Sequence, residues 1–298
     1  MRFGRGYAPP IVFLEGPYRV TVFSEFKSFS PLVLVGCGNM GQALVRGWLS
    51  AGLKPEGLVI IDPQLDPKHV PEFANATLVA HAADLPHDLS ARLLLLAVKP
   101  QVINAVMRAK KPLVGDKTLV VSVAAGVTLA QLRKGLGEKA SLVRAMPNTP
   151  AAIGAGVTGL CASADVSDTD CGLADAVMLT AGPTVWVNDE SLMDTVTATS
   201  GSGPAYVFHM VEALAAAAEA NGLPAPEAMV LARQTIIGAG KLLEADAHIP
   251  AATLRERVTS PGGTTAAALD VLMQSGELTD LMTRAVAAAK KRGEELAG

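Results

Sequence analysis

From Pro31 onward the chain alternates short apolar runs with stretches of helical periodicity. Leu32–Val35 ends in Gly36, Leu58–Ile61 in Asp62, and Leu93–Val98 in Lys99 and Pro100; Leu119–Val123 and Leu142–Ala145 follow. Short apolar runs without alternation belong to strands buried on both faces, the setting of a parallel sheet. Gln42–Ala51 has helical character and meets a stop at Gly52. Val157–Cys161 and Thr184–Val187 read as further strands. Residues 31–189 are therefore predicted as a doubly wound, mostly parallel α/β domain.

After Asp189 the strand pattern stops. Helices are predicted over Ala205–Asn221, from Pro226 to about Glu244, over Thr264–Gln274 and over Thr279–Leu296. Residues 190–298 read as an all-α domain. Val207, Met210, Val211, Leu214 and Ala218 form one apolar stripe, which the alanines 215–217 widen. Helices this apolar in a small domain predict burial against a second copy of the chain. Residues 1–30 differ: five of the seven Phe lie there, with no continuous apolar stretch of signal-peptide type. They read as a disordered or loosely packed extension; the sharper alternative is an edge strand from Tyr18 to Phe23.

Composition narrows the function classes. With 25 basic and 28 acidic residues the formal charge is −3, and no basic stripe exists to neutralise phosphates, so nucleic acid is not an expected partner. No apolar run reaches the roughly 18 residues of a membrane span. Cys37, Cys161 and Cys171 form neither a CxxC pair nor a metal pattern, so no metal site is expected and a reducing compartment, the cytoplasm, is.

The chemistry gathers at strand ends. Gly36-Cys37-Gly38-Asn39-Met40-Gly41 is a GxGxxG that follows a strand and opens a helix, the context a dinucleotide site requires. Gly36 permits the turn, Gly38 admits the pyrophosphate, Gly41 lets helix and strand approach, and the helix start holds the anion. Asp62 ends the second run about 20 residues on, where an acid meets the adenine ribose and repels a 2′-phosphate. On this ground NADH is preferred over NADPH, although Asp-Pro is also ordinary turn chemistry. Ala97-Val98-Lys99-Pro100 and the small residues around Ala124 and Gly126 lie at further strand ends; Lys99 reads equally as a cofactor contact or a solvated lysine. In the helical part, Thr259–Thr265 (Thr-Ser-Pro-Gly-Gly-Thr-Thr) is rich in hydroxyls and leads into a helix, which suits a small carboxylate; Thr264 as a helix cap is the alternative. His209 is expected to be packed or capped, and no Ser/His/Asp set is evident.

The glycine motif, Ala97–Pro100, Arg144-Ala145-Met146-Pro147-Asn148-Thr149-Pro150, Ser200–Tyr206 and Thr259–Thr265 occur in the order seen in pyrroline-5-carboxylate reductases. The chain resembles that family from about residue 32 to its end. The resemblance implies a Rossmann domain followed by an all-α dimerisation domain, a homodimer that can build a decamer, and reduction of 1-pyrroline-5-carboxylate to L-proline by NADH or NADPH. It implies that Gly36, Gly38, Asn39, Met40, Gly41, Asp62, Ala97, Val98, Lys99, Pro100, Ala124, Gly126, Met146 and Asn148 hold the cofactor. Ser260, Gly262, Gly263 and Thr264 would hold the substrate carboxylate. Thr265 would act on the ring nitrogen as the catalytic residue, with Thr197 lining the same pocket. Many family members prefer NADPH, so Asp62-Pro63 is a departure. Two other readings stay open: a β-hydroxyacid dehydrogenase, which lacks its expected lysine between Ser200 and Asn221, and a non-catalytic nucleotide-binding regulator on the same fold.

Overall fold

The computed structural model describes residues 30–138 and 140–297. The expected N-terminal extension, apart from Ser30, and the alternative edge strand at Tyr18–Phe23 lie outside the described residues. Eight strands form one sheet: β1 Leu32–Val35, β2 Leu58–Ile61, β3 Thr77–Val79, β4 Leu93–Leu96, β5 Leu119–Ser122, β6 Ser141–Pro147, β7 Thr158–Ala162 and β8 Thr184–Trp186. Their order is β3-β2-β1-β4-β5-β6-β7-β8. The order reverses between β1 and β4, which opens a crevice at their carboxyl ends. All neighbours are parallel except β6 and β7, which are antiparallel. Residues 148–157 join those two with only a 3₁₀ turn, Thr149–Ile153, and no crossover helix, so the chain simply turns back.

The apolar runs bury both faces by simple alternation. Leu32, Leu34, Leu58, Ile60, Leu93 and Leu95 join one core with Leu44 and Trp48 of α1 (Asn39–Ser50) and Val177 of α4 (Asp168–Leu179). Val33, Val35, Val59, Ile61, Leu94 and Leu96 join the other with Met107 of α2 (Ile103–Lys110) and Leu132 of α3 (Leu129–Leu136). A run read as uniformly hydrophobic thus serves two cores through a period of two.

Some boundaries differ from the expected ones. Helix α1 starts at Asn39, inside the glycine motif, and β4 stops at Leu96, leaving Ala97–Lys99 as loop before a 3₁₀ turn that begins at Pro100. The third strand from the motif, β3, was not expected: Thr77-Leu78-Val79 lies half-exposed at the sheet edge and has no fully apolar run.

After the sheet come α5 (Met193–Val196), a π-helical turn at Thr197–Gly201, α6 (Gly203–Ala220), α7 (Ala225–Ala245), α8 (Ala251–Arg257), α9 (Thr264–Leu272) and α10 (Glu277–Ala297). Strands end near Asp189, as the sequence predicts, but the break in compactness follows Gly201. One unit comprises the chain to Gly201 together with the chain from Lys290; the other is Ser202–Ala289. Residues 190–201 belong with the sheet because side chains of β6 and of the residue after it hold them, as described below. Among the described residues no helix is long and apolar enough to cross a membrane.

Candidate active site

Two of the motif glycines serve the backbone and one faces space. Gly36 has φ +89°, and a Cβ there would lie 2.6 Å from the Ala97 carbonyl oxygen and 2.7 Å from Val98 Cγ1. A Cβ at Gly41 would collide with the Gly36 carbonyl oxygen. Gly38 has nothing within 4 Å of such a Cβ and is the N-cap of α1, where no side chain caps the helix. First-turn N–H groups therefore stay available to an anion beside an open approach, and a dinucleotide pyrophosphate fits this cradle. Cys37 between the glycines is buried, and that burial, with Asp62 nearby, pushes its thiol up to about 12. It packs as a neutral side chain rather than serving as a nucleophile.

Asp62 reaches back to this loop. One carboxylate oxygen accepts the Cys37 N–H at 2.7 Å, and the other accepts the Gln64 N–H at 2.8 Å. The residue both forms the turn before Pro63 and fixes the glycine loop to the end of β2. Each oxygen retains a lone pair for a ribose hydroxyl. Arg46 on α1 is paired with Glu72 at 2.8 Å.

The walls of the crevice come from the neighbouring strand ends. Ala97 donates its N–H to the Val35 carbonyl at 2.8 Å, and exposed Lys99 is followed by Pro100, which opens a 3₁₀ turn. Beyond β5, Ala124 is buried and Gly126 turns with φ +74°. Glu190 braces this loop, accepting the Leu129 N–H and the Arg144 Nη1–H, each at 2.7 Å. At the end of β6, Met146 Cε lies 2.9 Å from where a Gly201 Cβ would be. The Asn148 amide donates to the Ser200 carbonyl at 3.1 Å and accepts the Val157 N–H at 2.9 Å.

In the second unit, Thr259–Thr265 is an exposed hydroxyl-bearing loop. Gly262 has φ +67°, and the Gly263 N–H closes a turn on the Ser260 carbonyl at 3.0 Å. The cap of α9 is Gly263, with no side-chain bond, and Thr264 is the first helical residue. The Thr264 capping alternative therefore does not hold. A free helix start flanked by Ser260, Thr264 and Thr265 offers N–H and hydroxyl donors of the kind that suit a carboxylate.

The family model described as pyrroline-5-carboxylate reductase dimerisation matches residues 190–296, and that for NADP oxidoreductase, coenzyme F420-dependent, matches residues 31–126. Pyrroline-5-carboxylate reductase of Synechocystis sp. is 44% identical over 268 residues, 89% of this chain and 97% of the relative. The chain belongs to the pyrroline-5-carboxylate reductase family. A solved pyrroline-5-carboxylate reductase from Coxiella burnetii superposes with a TM-score of 0.82 at 36% identity, covering 91% of this chain and 99% of that one. The Plasmodium falciparum pyrroline carboxylate reductase, solved with NADP bound, superposes with a TM-score of 0.73 at 28% identity, covering 90% and 98%.

Membership in the pyrroline-5-carboxylate reductases sets aside the hydroxyacid dehydrogenase alternative. Within the first unit, the glycine motif, Asp62 and Ala97–Pro100 meet at one crevice: Cys37 bonds Asp62, and Gly36 abuts Ala97 and Val98. Met146, Asn148 and Thr197 meet around the π turn. Ser260, Gly262, Gly263, Thr264 and Thr265 form their own loop in the second unit. His209 is not packed as expected; it stands exposed on α6 and pairs with Glu212 at 3.0 Å. Sequence reasoning did not single out Glu190, and it took Arg144 as the first residue of a family motif without giving it a role. The available signal was a lone arginine inside a buried apolar strand, which requires a partner.

Proposed function

We infer that the chain reduces 1-pyrroline-5-carboxylate to L-proline with NAD(P)H, the last step of proline biosynthesis. The observation that carries the reading is the presence in one chain, along the full length of the family's relatives, of two open helix starts. One lies behind Gly38 and suits a pyrophosphate; the other lies behind Gly263 and suits a carboxylate.

Gly36, Gly38, Asn39, Met40 and Gly41 would hold the pyrophosphate, and Asp62 the adenine ribose. Ala97, Val98, Lys99, Pro100, Ala124, Gly126 and Met146 would line the remainder of the cofactor. When bound, the reduced nicotinamide supplies a hydride. Ser260, Gly262, Gly263 and Thr264 anchor the substrate carboxylate, and Thr265 hydrogen-bonds the ring nitrogen. Protonation of that nitrogen makes the imine carbon electrophilic; hydride addition there consumes the C=N bond and leaves the proton on the amine of L-proline. The chain contributes placement more than proton transfer, which accounts for a site without a dedicated base. A homodimer through the helical unit, assembling further to a decamer, and a cytoplasmic location complete the reading. The exposed apolar side chains of the helical unit support the assembly, and an odd number of cysteines without a CxxC pair fits a reducing compartment.

The Asp62 carboxylate, with Arg46 already paired to Glu72, favours NADH. A phosphate brought near that charge costs about 1–4 kcal/mol, or roughly fivefold or more in selectivity. The test is oxidation of each cofactor at equal concentration, with and without 1-pyrroline-5-carboxylate. Turnover is expected only with the imine and faster with NADH. No oxidation of either cofactor overturns the activity; a strong NADPH preference overturns the role of Asp62 alone.

A further inference from the structure

The segment 190–201 links the sheet to the helical unit through a 3₁₀ turn at Glu190–Leu192, α5 and the π turn Thr197–Gly201. A π turn is a rare, poorly bonded form that persists where its surroundings hold it. Here β6 and the residue after it grip both ends. At the near end the buried Arg144 donates to Glu190, whose same oxygen takes the Leu129 N–H. At the far end Asn148 donates to the Ser200 carbonyl while its own carbonyl is fixed by Val157. The two partners dictate which way the amide points, since an N–H cannot donate to the Val157 N–H nor a carbonyl accept from the Ser200 carbonyl. Between the grips, Val196 lies against Gly159, where a Cβ would collide with it.

Thr197 sits in the gripped stretch, and its hydroxyl donates to the Met193 carbonyl at 2.9 Å. That bond commits the hydroxyl hydrogen, so the oxygen meets a ligand as an acceptor. An acceptor suits the N–H of a protonated imine and not a carboxylate. We propose that Arg144 and Asn148 are positioning residues: with Glu190 they clamp the 190–201 segment at both ends and hold Thr197 as an acceptor for the protonated imine. The proposal rests on the reading of Thr197 as a substrate contact. It separates Asn148 from direct cofactor binding, the role the family resemblance implied.

The test uses the purified full chain and compares Asn148→Asp, Thr197→Val and the double variant with wild type. Asn148→Asp keeps the acceptor for the Val157 N–H and removes the donor to Ser200. Misplacing a reacting partner by about 1 Å costs on the order of 100-fold in rate. Asn148→Asp is therefore expected to lower kcat/KM for the imine roughly 10- to 100-fold, with the Kd for reduced cofactor changed by less than about twofold. The double variant should lose no more than Thr197→Val alone, because both act through one contact. Wild-type turnover in Asn148→Asp overturns the clamp, as does a parallel loss of cofactor affinity or losses that multiply in the double variant. A silent Thr197→Val instead removes the substrate contact, and with it the clamp's purpose, whatever Asn148→Asp does. Should Asn148→Asp fail to fold, Glu190→Gln keeps an acceptor for Leu129 and withdraws the charge from Arg144; the same separation of kcat/KM from cofactor Kd is expected, and its absence overturns the proposal.

Discussion

A methyl group added at Gly41 meets the Gly36 carbonyl oxygen, whereas one added at Gly38 meets open space. The two substitutions should therefore fail in different ways. Gly41→Ala is expected to destabilise the fold by about 1–3 kcal/mol, as overpacking of a rigid neighbour does. Gly38→Ala should cost less than about 1 kcal/mol in stability, because φ −70° suits alanine, yet weaken cofactor binding about tenfold or more by obstructing an anion at the helix start. Thermal unfolding and cofactor titration on both variants check this; a Gly38→Ala protein that binds normally would show that the pyrophosphate lies elsewhere. The backbone duties of Gly36 and Gly41 were legible in the sequence because the motif sits directly between a strand and a helix. The second duty of Asp62 was not, since its partner Cys37 lies 25 residues away, and neither was the bond from Asn148 to Ser200, 52 residues on. Such bonds depend on which strand ends become neighbours, and a local pattern of residue types does not carry that information.

Helix α1, which presents the glycine loop, is fixed on its far side by Trp48. The indole is fully buried and donates to the Val177 carbonyl of α4 at 2.7 Å. Trp48→Phe keeps most of the apolar bulk and removes the donor. The Val177 carbonyl keeps the Thr180 hydroxyl at 3.3 Å, so the expected loss is that of one ordinary hydrogen bond, about 0.5–1.5 kcal/mol, read as a lower urea midpoint by circular dichroism with an unchanged slope. An unchanged midpoint would mean that packing alone secures α1. Among the elements, β1, β2 and β4 were readable because four consecutive apolar residues need cover on both faces, and β5 because three of its four residues are apolar and the fourth, Ser122, is small. The edge strand β3 needs little cover and so leaves little trace. The antiparallel step at β6–β7 escaped for another reason: strand patterns do not encode direction, and only the short link 148–157 discloses it. The extent of β6 was underestimated because Arg144 aside, its last residues, Met146 and Pro147, do not look like strand interior.

Across the molecule, the helices of the second unit leave large apolar side chains uncovered. Phe208 and Val230 are each 66% exposed, and Leu242 and Val271 stand out likewise. A monomer rarely shows so much apolar surface, and the dimerisation family match covers these residues. Phe208→Glu and Val230→Glu should shift the sedimentation mass towards that of the 30.7 kDa monomer, while Val230→Ala should leave the assembly intact. Glutamate variants that keep the wild-type mass would place the interface on another face. The apolar stripe on α6 made this surface legible from sequence, whereas the way the chain divides was not. The first unit is discontinuous in sequence: it takes in the chain from Lys290, where Gly293 lies so near Asp194 that a Cβ would come within 3.1 Å of its carboxylate. During synthesis all eight strands precede the helical unit, and the α10 residues from Lys290 that belong with the first unit are made only after Ser202–Ala289. The sheet can therefore form before the second unit exists, whereas the packing of Gly293 beside Asp194 waits until that unit has been made.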